Sequence, residues 1–173
     1  MKNLNMFCIS MDPDHYNIIK EMEYIPVGLG EENFSKDWMT DKPGENISEK
    51  NHFYGEYTFH YWLWKNHLKN MNDSWIGFCQ YRKFWGASDI NIEINSLTNL
   101  KEKIIKKIPD NYKNYDVILG NEIFINQYKF MKFLKNGTKL ILKNPSYLFN
   151  KNKRNIKFHF DLMHGYNNLN KAI

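Results

Sequence analysis

Arginine is almost missing from this chain. Arg82 and Arg154 are its only two, although Lys and Arg together number 24 against 19 Asp and Glu. The net charge of +5 is therefore carried by lysines, in a sequence also rich in Asn and Ile. That bias fits an AT-rich coding sequence better than a nucleic-acid surface, which favours Arg forks and basic residues interleaved with aromatics. The charge still suits an acidic substrate or a membrane face. The densest basic run, Lys151-Asn152-Lys153-Arg154, lacks aromatics and reads as a solvated loop or a phosphate or membrane contact. Cysteine is scarce too. Two cysteines make no disulfide framework, and Cys8 and Cys79 each sit in an apolar run, as buried reduced thiols in two strands would. No apolar run reaches 18 residues, so no spanning helix is expected. The stretch Met6–Ser10 is too short for the core of a signal peptide. The expected location is the cytoplasm, or the inner face of the membrane. Gly-x-x-x-x-Gly-Lys, Gly-x-Gly-x-x-Gly, Gly-x-Ser-x-Gly and Cys-x-x-Cys are all missing. This disfavours P-loop, dinucleotide, serine-hydrolase and thioredoxin-like chemistry. The lone Gly28-Leu29-Gly30 carries little weight.

Aromatics, in contrast, are plentiful: 12 Phe, 11 Tyr and 5 Trp, or 16 % of the chain. A disordered chain would not carry so many. At 173 residues the sequence suits one core-bearing domain spanning residues 1–173. Met6–Ser10 reads as a buried strand, stopped by the loop sequence Met11-Asp12-Pro13-Asp14. A short helix near Tyr16–Met22 and an extended stretch Tyr24–Gly30 follow. Residues 31–47 form a long polar loop with Pro43-Gly44 as a turn, and long ordered loops are often functional. Asn46 or Ser48 then caps a helix, with Glu49 at capping-box spacing from Asn46. That helix is predicted over Lys50–Lys69. Tyr54, Tyr57, Tyr61, Trp64 and Leu68 make one stripe, widened by Phe59, Trp62 and Leu63, so it is expected to be central and packed on two sides. Trp75–Tyr81 reads as a strand covered on both faces, Leu100–Ile108 as a helix ended by Pro109, and Tyr115–Gly120 as another buried strand. Tyr128–Leu134 and Leu140–Leu142 are weak elements, and Lys157–Leu169 looks helical. Strands alternating with helices predict an α/β fold with a mostly parallel central sheet.

Three constellations could carry chemistry. Glu56 and His60 lie one turn apart on one helix face. They could face a ligand or form part of a metal site, or they could simply be satisfied by neighbouring backbone; the pair lacks a third metal ligand. Gln80-Tyr81-Arg82-Lys83 follows a buried strand directly. Ligands of open α/β sheets bind beyond the carboxyl ends of strands, and Arg82 offers a donor fork suited to phosphate oxygens; a surface ion pair is the other reading. Asp12-Pro13-Asp14 has the Asp-x-Asp form that holds a divalent cation in many glycosyltransferases. Directly after the first strand, a turn is its better reading. Asp116 reads as structural.

The central block resembles a known family. The order Asn46-Ile47-Ser48-Glu49-Lys50-Asn51, Tyr54, Glu56, Tyr57-Thr58, Tyr61-Trp62-Leu63-Trp64-Lys65-Asn66, Ile76-Gly77 and Gln80-Tyr81-Arg82-Lys83-Phe84 looks like the bacterial family labelled domain of unknown function 4422. Ile25–Gly28 and Tyr115–Ile118 also match, and His164 with Asn168-Leu169 more loosely. Members occur in capsular and exopolysaccharide gene clusters and are treated as glycosyltransferases. The resemblance implies a GT-A-like fold that moves a sugar from a nucleotide-diphosphate donor to a glycan or lipid-linked acceptor, with Mn²⁺ or Mg²⁺ as candidate cofactors and no nucleic acid. It implies that Arg82 and Lys83 neutralise the diphosphate, and that Asn46, Ser48, Asn51, Lys65, Asn66, Gln80 and Tyr81 line the substrate site. Glu56, His60 and His164 become candidates for catalysis. In the family pattern a His stands where this chain has Gln80, which hydrogen-bonds but does not titrate. A second Arg is replaced by Lys83, without bidentate geometry. Family members continue past the equivalent of Ile173, so the resemblance leaves a fragment, a truncated product or a reduced member as the readings. Those departures keep two alternatives open: a non-catalytic nucleotide-sugar or glycan-binding module, and a structural partner in a biosynthetic complex.

Overall fold

The structure is a computed structural model that describes residues 3–71, 74–87, 97–120 and 137–150, with positions 134, 153, 158, 160 and 162. The chain divides into two compact units, Met1–Gly120 and Asn121–Ile173.

The first unit is built on a four-stranded, all-parallel sheet in the order β3-β2-β1-β4. The strands are β1 (Leu4–Ser10), β2 (Ile25–Gly28), β3 (Met39–Thr40) and β4 (Trp75–Gln80). Strand β1 is central. It pairs Phe7 with Ile25 on one side and with Phe78 on the other. Its side chains alternate between two cores. Met6 and Cys8 face a cluster with Ile19, Met22, Tyr24 and Trp38, while Phe7 and Ile9 face one with Phe59, Trp62 and Leu63. Helix α1 (Tyr16–Glu21) thus covers one face and helix α3 (Tyr57–Asn66) the other. This is the α/β arrangement that the continuous apolar runs predict, because a parallel sheet must be covered on both sides. Both cysteines are buried and free, and they are register partners on β1 and β4.

The aromatic helix departs from expectation in two ways. Gly55 breaks it. Its φ of 55° and ψ of −131° fall where only glycine is comfortable, so α2 (Asn51–Tyr54) ends there and α3 starts afresh. Asn51 Nδ2 spans the break, donating to Gly55 O at 3.0 Å and Thr58 Oγ1 at 3.1 Å. The helix is also turned round relative to the stripe read from its spacing. Thr58, Phe59, Trp62 and Leu63 are the buried side chains of α3. Tyr57 and Trp64 are 64 % and 55 % exposed, so the stripe through them points outward. A loop secures the helix: Trp62 Nε1 donates to Pro43 O, and Asn66 Nδ2 donates to Glu45 O at 2.9 Å and Trp62 O at 2.8 Å. Gly44 allows this approach. It has a φ of 73°, and a Cβ there would meet Asn66 Oδ1 at 2.3 Å.

Tyr115–Gly120 is not a buried strand. It is irregular, with Tyr115, Val117 and Leu119 exposed, and it runs along a groove of about 660 Å³ beside the outer edge of β4. Part of that edge is already capped, since Trp85 Nε1 donates to Phe78 O at 2.8 Å. Helix α4 (Leu97–Lys103) ends earlier than Pro109 would require, because Ile104 and Ile105 leave it to be buried. In the second unit, α5 (Thr138–Lys143) and α6 (Ser146–Phe149) contribute Leu140 and Tyr147 to a small cluster with Phe158 and Leu162. The predicted element at Tyr128–Leu134, the helix at Lys157–Leu169 and the basic run at Lys151–Arg154 lie largely outside the described residues. Among the described residues, no helix is long and apolar enough to cross a membrane.

Candidate functional site

Strand β1 lies between β2 and β4, and helices α1 and α3 cover opposite faces. The sheet therefore changes winding direction between β1 and β4, and the carboxyl ends of those strands flank the crevice where open α/β sheets bind ligands. Ser10 ends one and Gln80 the other.

On the α3 side lies a cleft of about 370 Å³, lined by Ile9, Glu56, His60, Phe78, Gln80, Lys83 and Trp85 among others. The alternation of β4 puts Gln80 on the same face as Phe78, toward α3. Its Nε2 donates to Glu56 Oε2 at 2.5 Å. Glu56 is held in place twice, by this bond and by its position as the first residue after the Gly55 break. His60 is one turn further on. Its ring packs on Phe78, with centroids 4.1 Å apart, and edge-on to Tyr57 at 5.4 Å. Its Nε2 is shielded from solvent and has no hydrogen-bond partner among the described residues. Burial lowers the His60 pKa, and the nearby Glu56 charge opposes this without overcoming it. The imidazole is thus neutral at pH 7, with a nitrogen to spare.

The other side of the crevice holds a cluster that motif reading missed. His15 Nδ1 and Ser10 Oγ are 2.8 Å apart, and the His15 ring stacks on Tyr81 with centroids 4.0 Å apart. Asp12 caps the short turn Pro13–His15, its Oδ1 accepting from Asp14 N at 3.0 Å, so Asp12-Pro13-Asp14 is indeed a turn. The signal for this cluster lay in position alone, directly after the central strand.

Between these two halves the chain makes a tight turn. Lys83 N donates to Gln80 O at 2.9 Å and Gln80 N to Lys83 O at 3.3 Å, which presents Tyr81 and Arg82 at the tip. Arg82 is exposed, with its guanidinium 5.4 Å from the Tyr81 ring centroid, and it has no carboxylate partner among the described residues. An unpaired guanidinium beside a crevice is available to an anion.

The structure thus gathers Glu56, His60, Gln80, Tyr81, Arg82 and Lys83 at one crevice. The remaining candidates lie elsewhere. Asn46 and Ser48 serve the loop: Asn46 Oδ1 accepts from Ser48 N at 3.1 Å and Ser48 Oγ at 2.8 Å, and Asn46 Nδ2 donates to Lys42 O and Gly44 O. Asn51 and Asn66 hold the backbone contacts already described. Lys65 sits on the outer face of α3, 2.9 Å from Glu45 Oε1. His164 lies outside the described residues. No three His, Cys, Asp or Glu side chains among the described residues converge to hold a metal ion. The Asp12 carboxylate is engaged in its turn. This donor set gives Mn²⁺ or Mg²⁺ no formed cradle.

The family described as Domain of unknown function (DUF4422) matches residues 9–171. The chain belongs to the DUF4422 family. No curated protein and no solved structure matches it. The DUF4422 match takes in β1 from Ile9 onward, α3, β4 and every residue gathered at the crevice.

Proposed function

We propose that this DUF4422 chain is a glycosyltransferase that takes a sugar from a nucleotide-diphosphate donor, binding that donor at the β1/β4 crevice on the cytoplasmic side of the membrane. One observation carries the reading: an exposed Lys83 lines the same cleft as Glu56, Gln80 and a neutral His60, and its neighbour Arg82, with no carboxylate partner among the described residues, stands at the tip of the adjoining turn. The two cations suit a diphosphate, whose oxygens need charge-assisted donors. The neutral imidazole lining the cleft is the candidate base for an attacking hydroxyl, and Glu56, one turn away, can stabilise the imidazolium that would form. Gln80 keeps Glu56 in place. No step is assigned to a metal.

The test is a thermal-shift screen of nucleotide sugars with and without Mn²⁺, followed by calorimetry on Arg82→Ala. A donor that binds raises the melting temperature by mass action. Loss of one charge-assisted contact, about 1.5–3 kcal/mol, should weaken it by roughly tenfold or more. Unchanged affinity in the variant overturns the phosphate role of Arg82. Transfer or hydrolysis assays then separate an enzyme from a binding module, which Gln80 would favour by replacing a titratable group at the cleft.

A further inference from the structure

Helix α3 exposes a stripe that a surface helix has little reason to carry. Tyr57, Tyr61 and Trp64 recur at helical spacing, with Leu68 in the short turn that follows the helix, and Tyr57, Trp64 and Leu68 are 64 %, 55 % and 41 % exposed. Exposed aromatic patches of this kind mark binding surfaces more often than accident. This one is also organised. Glu45, brought in from the loop, accepts from Tyr61 Oη at 2.8 Å and pairs with Lys65 Nζ at 2.9 Å. Lys65 Nζ in turn lies 4.5 Å from the Trp64 ring centroid and 5.5 Å from that of Tyr61. Tyr61 and Trp64 meet edge-on with centroids 5.8 Å apart, and the Lys65 ammonium lies over both rings, so a carboxylate, a phenol and an ammonium sit directly against exposed aromatic surface.

We infer that this stripe is a saccharide-binding platform for the acceptor chain, an assignment that rests on the glycosyl-transfer reading above. Sugar rings present an apolar face of C–H bonds that packs on the electron-rich face of an aromatic ring, and a rim of hydroxyls that needs donors and acceptors. The α3 surface offers both, interleaved. An anionic lipid surface fits it poorly, because the Glu45 carboxylate sits among the rings. A protein partner would bury that carboxylate at a cost in desolvation. The platform is also continuous with the cleft: Tyr57 at its end packs edge-on against His60, 5.4 Å away. From Tyr57 to Trp64 is two helical turns, about 10 Å of rise, which is room for more than one sugar ring. A chain lying along the stripe would end at the cleft that His60 lines.

The experiment is a printed array of bacterial capsular and exopolysaccharide fragments, probed with the full chain, Trp64→Ala, Tyr57→Ala and Trp64→Phe. Vesicles of phosphatidylglycerol and phosphatidylethanolamine run in parallel. Binding of at least one fragment is expected. Trp64→Ala and Tyr57→Ala should weaken it about tenfold or more, Trp64→Phe should retain most of it, and circular dichroism and melting temperature should not change. Absence of fragment binding, binding undiminished in both alanine variants, or Trp64-dependent binding to the vesicles alone overturns the platform. Donor stabilisation in the thermal-shift screen reads the crevice separately. A stripe that binds glycan while no nucleotide sugar stabilises the fold would sink the transferase reading and the acceptor role with it, and leave a saccharide-binding surface.

Discussion

The two faces of α3 are both aromatic, yet one is sealed and the other open. Phe59 and Trp62 are 0 % and 4 % exposed, whereas Tyr57 and Trp64 are 64 % and 55 % exposed. Apolar periodicity marks both faces and cannot rank them. Polar handles can. Phe59 and Leu63 carry no polar atom, and the one indole of the buried face finds Pro43 O. Tyr57 and Tyr61 on the open face carry hydroxyls, and Trp64 an indole N–H, that favour water or a polar ligand. The general lesson is that a helix with two aromatic stripes buries the one whose hydrogen-bonding needs are smallest or already met.

Removing a ring from the sealed face should have the largest effect. Phe59 contacts Phe7 at 5.4 Å and Trp62 at 5.6 Å between centroids, at the centre of the core between α3 and the sheet. Phe59→Ala should cost about 3–5 kcal/mol, read by urea denaturation, as large aromatic deletions in cores do. A loss below about 1 kcal/mol would show that this face is not the packed one. The break before α3 comes next. Gly55→Ala meets no steric obstacle but must hold a positive φ. It should cost about 1–3 kcal/mol. Because Glu56 follows directly, nucleotide-sugar binding should weaken too. A variant as stable as the native chain would mean that the helix runs on through position 55.

Much of the frame was legible. The runs at β1 and β4 and the short helix α1 have unambiguous local signals, and their parallel pairing follows from the alternation of strand and helix. The turn at Asp12-Pro13-Asp14 was legible as well, because its residues act on their own backbone. Other features depend on tertiary context. Gly55 inside an aromatic run is a single weak break signal, overridden in the reading by the residues around it. Tyr115–Gly120 has the composition of a strand, but a strand also needs a partner, and composition does not say whether the edge of β4 will supply one. Of the site, Arg82 and the Glu56–His60 pair stood out by rarity and spacing. The Gln80–Glu56 bond and the Ser10–His15–Tyr81 cluster join residues 24 and more than 60 positions apart. No local pattern encodes such contacts.

His60, at the boundary between the two faces, gives a smaller effect with a definite sign. Its folded pKa lies below its ordinary value, mainly through burial. As pH falls, the unfolded chain takes up the proton first. Stability is therefore fully present above about pH 6.5 and declines as pH drops toward the folded pKa. His60→Gln removes this proton uptake and should flatten the decline between about pH 7 and 5, by no more than about 1 kcal/mol given the solvent screening at a partly open cleft. Parallel stability profiles for the two proteins would show that His60 is not desolvated.

The open face should respond least. Trp64→Ala removes a large ring, but one that already faces water and covers no core residue, so the change in unfolding free energy should stay within about 0.5 kcal/mol. Set beside Phe59→Ala, the two substitutions delete aromatic rings of the same helix, five positions apart, with opposite burial. The difference between their costs measures how completely the loop anchored by Trp62 and Asn66 fixes the rotation of α3 about its axis. Similar costs for the two would mean that Trp64 is covered in solution, and the stripe could not then lie open to a saccharide.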